Sequence, residues 1–212
     1  MDDIDAIFAA EIKRRNIEAG LRAARIPQAL YHTLSSVDSD GIGPPIRACQ
    51  RWAKGEIQGL LFTGPVGSGK STLAAAAMRE SITLHKRRGR WVSVPELIAR
   101  TQTGFGTTTK AEATDTILAG EIPIVLDDLD KTTTTDHIAA QLFTAIETRV
   151  NNNTQIIVTT NLKLSELAGR LGAQWGEAIA SRLAGCCEMY TIAHKDRRIK
   201  QINQTRGNAT WA

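Results

Sequence analysis

One stretch restricts this chain more than any other. Gly64-Pro65-Val66-Gly67-Ser68-Gly69-Lys70-Ser71-Thr72 satisfies the pattern G-x-x-x-x-G-K-[ST] at every fixed position. Its surroundings agree: Gly59 to Thr63 reads as a short buried strand, and Leu73 to Met78 as a helix. The glycines let the backbone curl so that successive N–H groups point at phosphate oxygens, and the helix N-terminus adds partial positive charge. Lys70 is placed to reach the β- and γ-phosphates, and the Ser71 hydroxyl to hold Mg²⁺. A glycine-rich turn matching by accident would need neither the strand nor the helix. The stretch predicts a nucleoside triphosphate site.

A chain of 212 residues has room for one α/β domain and a short appendage. No apolar run is long enough to span a bilayer, so no membrane is expected among the partners. The opening Met1-Asp2-Asp3 is unlike a secretory signal, which makes the cytoplasm of a bacterium, or of a host cell, the expected compartment. Cys49, Cys186 and Cys187 lack C-x-x-C spacing, which argues against a disulfide framework or a zinc site. Net charge is +4, and the cations cluster at Lys13-Arg14-Arg15, at Lys86-Arg87-Arg88 with Arg90, and at Lys195, Arg197, Arg198 and Lys200. Such clusters are ordinary solvated surface, and they also permit nucleic-acid binding.

Asp2 to about Gly20 reads as one amphipathic helix, with Ile4, Ile7, Phe8, Ile12 and Ile17 near helical spacing and acids preceding bases. Its apolar stripe either folds back on the domain or docks on a partner. Asp38 to Pro45 signals a turn, and Ile46 to Lys54 a helix. Strands are predicted at Trp91 to Val94, Ile122 to Leu126, Gln155 to Thr160 and Glu188 to Ile192. Helices are predicted from Pro95, over Ala111 to Ala119, Ile138 to Val150, Leu164 to Leu171 and Glu177 to Leu183. Uniformly apolar strands alternating with helices indicate a five-stranded parallel sheet covered on both faces. The expected division is an N-terminal helical extension over 1–24, one domain over 25–200 and a polar tail over 201–212.

Two further strand ends carry chemistry. Ile124-Val125-Leu126-Asp127-Asp128 closes an apolar strand with two carboxylates at the end where parallel sheets bind ligands. Asp127 suits magnesium, held through water, and Asp128 suits orienting the attacking water or taking its proton. The run to Thr159-Thr160-Asn161 puts an amide at the next tip, able to hydrogen-bond the γ-phosphate and the water. Taken alone it is an ordinary turn former. Arg182, in a helical stretch expected near a domain edge, can reach a neighbour's γ-phosphate or make a surface salt bridge.

The order GPVGSGKST, IVLDDLDK, IIVTTN, EAIASRLAG resembles the AAA+ ATPases, and more narrowly the DnaC-type helicase loaders, relatives of the initiator DnaA and the transposition helper IstB. The narrower likeness rests on Ile26-Pro27, on Ser93-Val94-Pro95-Glu96-Leu97 and on the lack of a C-terminal helical lid. It covers Arg25 to Lys200 and implies an α/β P-loop fold and ATP with Mg²⁺ as cofactors. Gly64 to Thr72 and Asp127 then match Walker A and B, Asn161 sensor 1 and Arg182 the arginine finger. Asp128 stands where many members have glutamate. Arg198, with Arg197 beside it, falls near a second sensor. Ile26, Pro27 and Tyr31 lie where the family packs adenine. The resemblance also implies single-stranded DNA contacts from Phe105, Thr107, Thr108 and Lys110 in one loop and from Lys131 and Thr133 in another. It implies self-association into a spiral or ring, and a DnaB-like replicative helicase gripped by the N-terminal helix. The rival functions are an IstB-like helper of a transposase, a small-molecule kinase, and a module that binds ATP without hydrolysing it.

Overall fold

The structure is a computed structural model that describes residues 2–37, 42–102, 122–131, 135–172 and 174–193, with side chains described from Ile7 onward and not at 100–102. The predicted piece over 111–119, the loop contacts Phe105, Thr107, Thr108, Lys110 and Thr133, the sensor candidates Arg197 and Arg198, and the tail over 201–212 lie outside those residues.

Helix α1 runs Asp2–Ala24 and α2 Gly43–Lys54. Strand β1 (Gly59–Thr63) feeds α3 (Lys70–Thr83), and β2 (Arg90–Ser93) feeds α4 (Val94–Gln102). Then come β3 (Ile124–Asp127), α5 (Asp136–Asn151), β4 (Ile156–Thr159), α6 (Leu164–Arg170), α7 (Gly176–Cys186) and β5 (Cys187–Thr191). Two short 3-10 turns, Gln28–Leu30 and Leu34–Ser36, join α1 to α2. The elements match the sequence expectations with shifts at their ends. Val94 opens α4 rather than closing β2, and Asp127 is the last residue of β3 rather than the first beyond it.

The five strands are all parallel, in the order β2-β3-β4-β1-β5. The apolar strands divide their side chains between two layers, because successive residues face opposite sides. Leu60, Phe62, Val125 and Ile157 join one core with Leu21 and Ala24 of α1, Trp52 of α2 and Leu73 to Met78 of α3. Leu61, Ile124, Leu126, Ile156 and Val158 join the other with Leu97, Leu142, Ile146, Leu167, Ile179 and Leu183 from α4 to α7. Each fully buried Leu or Ile contributes roughly 1.5–3 kcal/mol, so the two layers outweigh any single loop in holding the sheet. α2 is amphipathic and ends at Gly55, whose φ of 87° lets its N–H close on the carbonyls of Arg51 and Trp52.

α1 treats its two halves differently. Ile17, Leu21 and Ala24 pack on the domain, with Gly20 against Ile82 of α3. Ile7, Phe8 and Ile12 stand exposed at 63%, 69% and 54%. No helix among the described residues is long and apolar enough to cross a membrane.

Candidate nucleotide site

The strand order decides where the chemistry gathers. β3, β4 and β1 are adjacent and parallel, so Asp127, Thr159 and the loop from Gly64 leave the sheet at the same edge. Gly64 must lack a side chain: at φ 135°, a Cβ would lie 2.2 Å from the Ile192 carbonyl oxygen. The Ile192 N–H in turn donates to the Thr63 carbonyl at 2.7 Å, fixing the root of the loop. Gly69, at φ 99°, turns the chain into α3 as its N-cap and supplies no side chain to cap it. The first N–H groups of α3 therefore stay open to an anion.

Lys70 is buried and spans the loop. Its Nζ donates to the carbonyls of Gly64 and Pro65, both at 2.8 Å, and to Asn161 Oδ1 at 2.9 Å. Burial pushes its pKa below the ordinary lysine value, partly offset by Asp128 and Asp130 nearby. The Ser71 hydroxyl donates to Asp127 Oδ1 at 2.8 Å, and the Thr159 hydroxyl donates to the same oxygen at 2.6 Å. Burial raises the Asp127 pKa above the usual carboxylate value, against the pull of these two hydrogen bonds. A hydroxyl and a buried carboxylate side by side are the donor set a hard cation such as Mg²⁺ prefers.

Asp128 sits one residue on with a left-handed φ of 60°, and its N–H donates to Thr159 Oγ1 at 2.9 Å. Lys131 Nζ lies 2.6 Å from its Oδ2. Asn161 is held by Asp130, which accepts from its N–H at 2.7 Å and from its Nδ2 at 2.9 Å. Lys70, Ser71, Thr72, Val66, Gly67, Gly69, Asp128, Lys131 and Asn161 all line one cleft of about 610 Å³.

The opposite wall of that cleft is not the one expected from sequence. Ala29, Leu30, His32, Ser36 and Val37 line it. Ile26 is instead part of the core, 5% exposed, because it follows the packed end of α1. Pro27 lines a separate cleft with Arg25 and Trp91, and Tyr31 lies under the Arg79 guanidinium at 5.3 Å. The short 3-10 turns carry that segment past the cleft, so that Ala29, Leu30 and His32 line it and Tyr31 does not. Arg182 does not line the cleft. It stands half-exposed on α7 and pairs with Glu147 of α5.

Thr159 and Asp130 were not singled out from sequence, although each sits beside a motif residue. A threonine at a strand end and an acid in a polar turn look ordinary until their partners are in place.

Solved structures share this fold. The crystal structure of the DnaC helicase loader is 24% identical, with a TM-score of 0.64, covering 78% of this chain and 99% of that one. DnaI is 23% identical at a TM-score of 0.67, covering 82% of this chain and 95% of that one. The replication initiator DnaA bound to AMPPCP and single-stranded DNA is 17% identical at 0.65, covering 86% of this chain and 56% of that one. No curated protein sequence matches. The sequence profile of the family described as "IstB-like ATP binding protein" matches residues 4–205. That match takes in α1 from residue 4 onward and every strand of the sheet, so this chain belongs to the IstB-like ATP-binding family, with a fold shared with DnaC and DnaI.

Proposed function

We propose that this protein is an ATP-dependent loader that places a DnaB-like replicative helicase on single-stranded DNA at replication initiation. One observation carries the reading: the nucleotide cleft holds Lys70, Asp128 and Asn161 while Arg182 stands outside it on the surface, so no arginine among the described residues lines the site. A second copy would supply it, which is what self-association into a spiral or ring would accomplish. The likeness in fold to DnaC and DnaI supports the loader assignment. So does the exposed apolar half of α1, which would grip the helicase. The working division is an N-terminal extension over 1–24 and an ATPase domain over 25–200, followed by the tail over 201–212.

In this reading the loop from Gly64 to Ser68 and the start of α3 cradle the triphosphate, and Lys70 leaves its carbonyl partners for the β- and γ-phosphates. Ser71 and Asp127 would hold Mg²⁺, which when bound neutralises charge on those phosphates. The water oxygen bonds to the γ-phosphorus as the bond to the β–γ bridging oxygen breaks. ADP leaves with that electron pair, and the proton lost by water passes to Asp128. Ala29, Leu30 and Val37 supply the apolar wall for the base. Lys131, on the described part of its loop, would meet DNA phosphate, with Thr133 and the stretch holding Phe105, Thr107, Thr108 and Lys110 as its proposed companions.

Co-purification with a replicative helicase, with and without ATP, followed by sizing of the complex, tests the reading. A nucleotide-dependent complex is expected, and its absence overturns the loader role. The family profile favours one second reading, an IstB-like ATPase helper of a transposase. A nucleotide-dependent complex with a transposase and none with the helicase would establish that instead.

A further inference from the structure

Asn161 is clamped from two sides by groups whose chemistry admits one orientation. Lys70 Nζ can only donate, and it lies 2.9 Å from the atom placed as Oδ1. On the other side, one Asp130 oxygen takes the backbone N–H of Asn161 at 2.7 Å and the other takes Nδ2 at 2.9 Å. Turning the amide over would set NH₂ against an ammonium and oxygen against a carboxylate, so the partners themselves assign the amide.

Resting on the hydrolytic reading above, we propose that Asp130 is a positioning residue that locks the Asn161 carboxamide with only its oxygen toward the reacting centre. Asn161 then acts on the attacking water and does not donate to the γ-phosphate.

The clamp is built into the fold. Asp130 is 8% exposed, in a tight turn closed by Lys131 N–H on the Asp128 carbonyl at 3.1 Å. Leu129 N–H ties the same turn to the Thr159 carbonyl at 3.0 Å, and Arg170 Nε reaches the Asp130 carbonyl at 3.3 Å. Burial raises the Asp130 pKa, but hydrogen bonds from Asn161 and Thr160 outweigh it, and the net value lies below the ordinary one. The Asp130 carboxylate takes two hydrogen bonds from Asn161, its backbone N–H and its Nδ2.

The consequence follows from donor counting. When phosphate draws Lys70 away, Asn161 Oδ1 faces the cleft with an unmet lone pair. A phosphate oxygen cannot fill it, since both are acceptors, whereas a water O–H can. Water donating there is oriented by a group that does not itself move. For Nδ2 to sense the γ-phosphate, the amide would have to abandon Asp130, leaving a buried carboxylate oxygen without its donor.

The test compares wild type, Asp130→Asn and Asn161→Ala for DNA-stimulated turnover and for binding of fluorescent ATP and ADP analogues. In Asp130→Asn an NH₂ replaces one acceptor, so whichever way the new amide turns, the Asn161 backbone N–H and Nδ2 cannot both keep their partner, and the lock fails. Both variants are expected to lose about 100-fold in kcat, with KM and the ratio of ATP to ADP affinity within about twofold of wild type. Wild-type kcat in a folded Asp130→Asn overturns the proposal. A roughly tenfold or larger drop in the ATP to ADP ratio in Asn161→Ala also overturns it, because it would reveal a lost bond to the γ-phosphate. Should Asp130→Asn fail to fold, Asp130→Ser is read by the same two measurements, with wild-type kcat again overturning the proposal, because Asn161→Ala reports the role of the amide and not what positions it. Wild-type protein that never turns over ATP defeats the hydrolytic reading, and the role for water with it. That outcome is recognised before any variant is compared.

Discussion

Lys131 closes over Asp128, with Nζ 2.6 Å from Oδ2, at the rim of the nucleotide cleft. The carboxylate suited to the attacking water is therefore occupied by the one described residue proposed to meet DNA. A phosphate group on Lys131 would compete for that ammonium and release Asp128. Lys131→Ala is expected to raise the rate without DNA by no more than about fivefold, since a partly exposed ion pair is worth about 1 kcal/mol at most. The same variant should lose most of the stimulation by DNA. Steady-state phosphate release with and without single-stranded DNA checks both, and full stimulation in Lys131→Ala would dismiss the link.

Lys70 organises the loop through contacts with its backbone and with Asn161. Its three close partners, at 2.8 to 2.9 Å, leave it poised with no carboxylate among the described residues bound to it directly. Lys70→Ala removes a charge-assisted contact worth roughly 1.5–3 kcal/mol, so ATP affinity should fall at least about tenfold. Titration calorimetry measures it, and affinity equal to wild type would rule out the phosphate contact.

Arg182 has a partner in its own chain, Glu147, and the companion site proposed for it would have to draw it away. Arg182→Ala should bind ATP normally and lose about 10³-fold or more in stimulated hydrolysis. Mixing it with Asp128→Asn, also inactive, should restore part of the rate, because one interface then has an intact cleft on one side and an intact arginine on the other. No recovery on mixing would place the arginine's action within a single subunit.

Asp130 also makes stability depend on pH. Its folded pKa is depressed below the ordinary aspartate value of 3.8, so the folded state favours the ionised form. The stabilisation is present above that value and is lost as pH falls through the folded pKa. Chemical denaturation of wild type and Asp130→Ala should show a stability gap at neutral pH that narrows on acidification below about 3.8. A gap that is flat across that range would show that the carboxylate's charge contributes nothing.

At Gly64 the backbone leaves no room. Gly64→Ala puts a methyl 2.2 Å from the Ile192 oxygen at a φ that disfavours side chains. A loss of roughly 1–3 kcal/mol in stability is expected, with weakened ATP binding, from urea unfolding and calorimetry. A wild-type melting profile would show that the strand end can shift freely.

Much of this architecture could be read from residues in order. The apolar runs became β1 to β5, and the glycines of the loop took the left-handed conformations that the motif needs. The apolar lining of the cleft could not be read in this way. Ile26 is an expected lining residue, yet the end of α1 draws it into the core, and Leu30 in the 3-10 turn lines the cleft instead. Spacing along α1 does not show which half is covered; packing against α3, with Gly20 against Ile82, covers the second half and leaves Ile7, Phe8 and Ile12 exposed.

By itself the sequence determined the phosphate loop, the alternation of strand and helix, and the kind of chemistry, because each depends on residues within a dozen positions of one another. Tertiary structure alone decided which of the remaining polar groups meet. Ser71 and Asp127 are 56 residues apart, Lys70 and Asn161 are 91 apart, and Asp130 and Asn161 are 31 apart. What joins them is the strand order β3-β4-β1, which brings three distant chain segments to one edge of the sheet. A hydrogen bond depends on distances of about 3 Å and on which atom holds the proton. Neither property is carried by spacing along the chain.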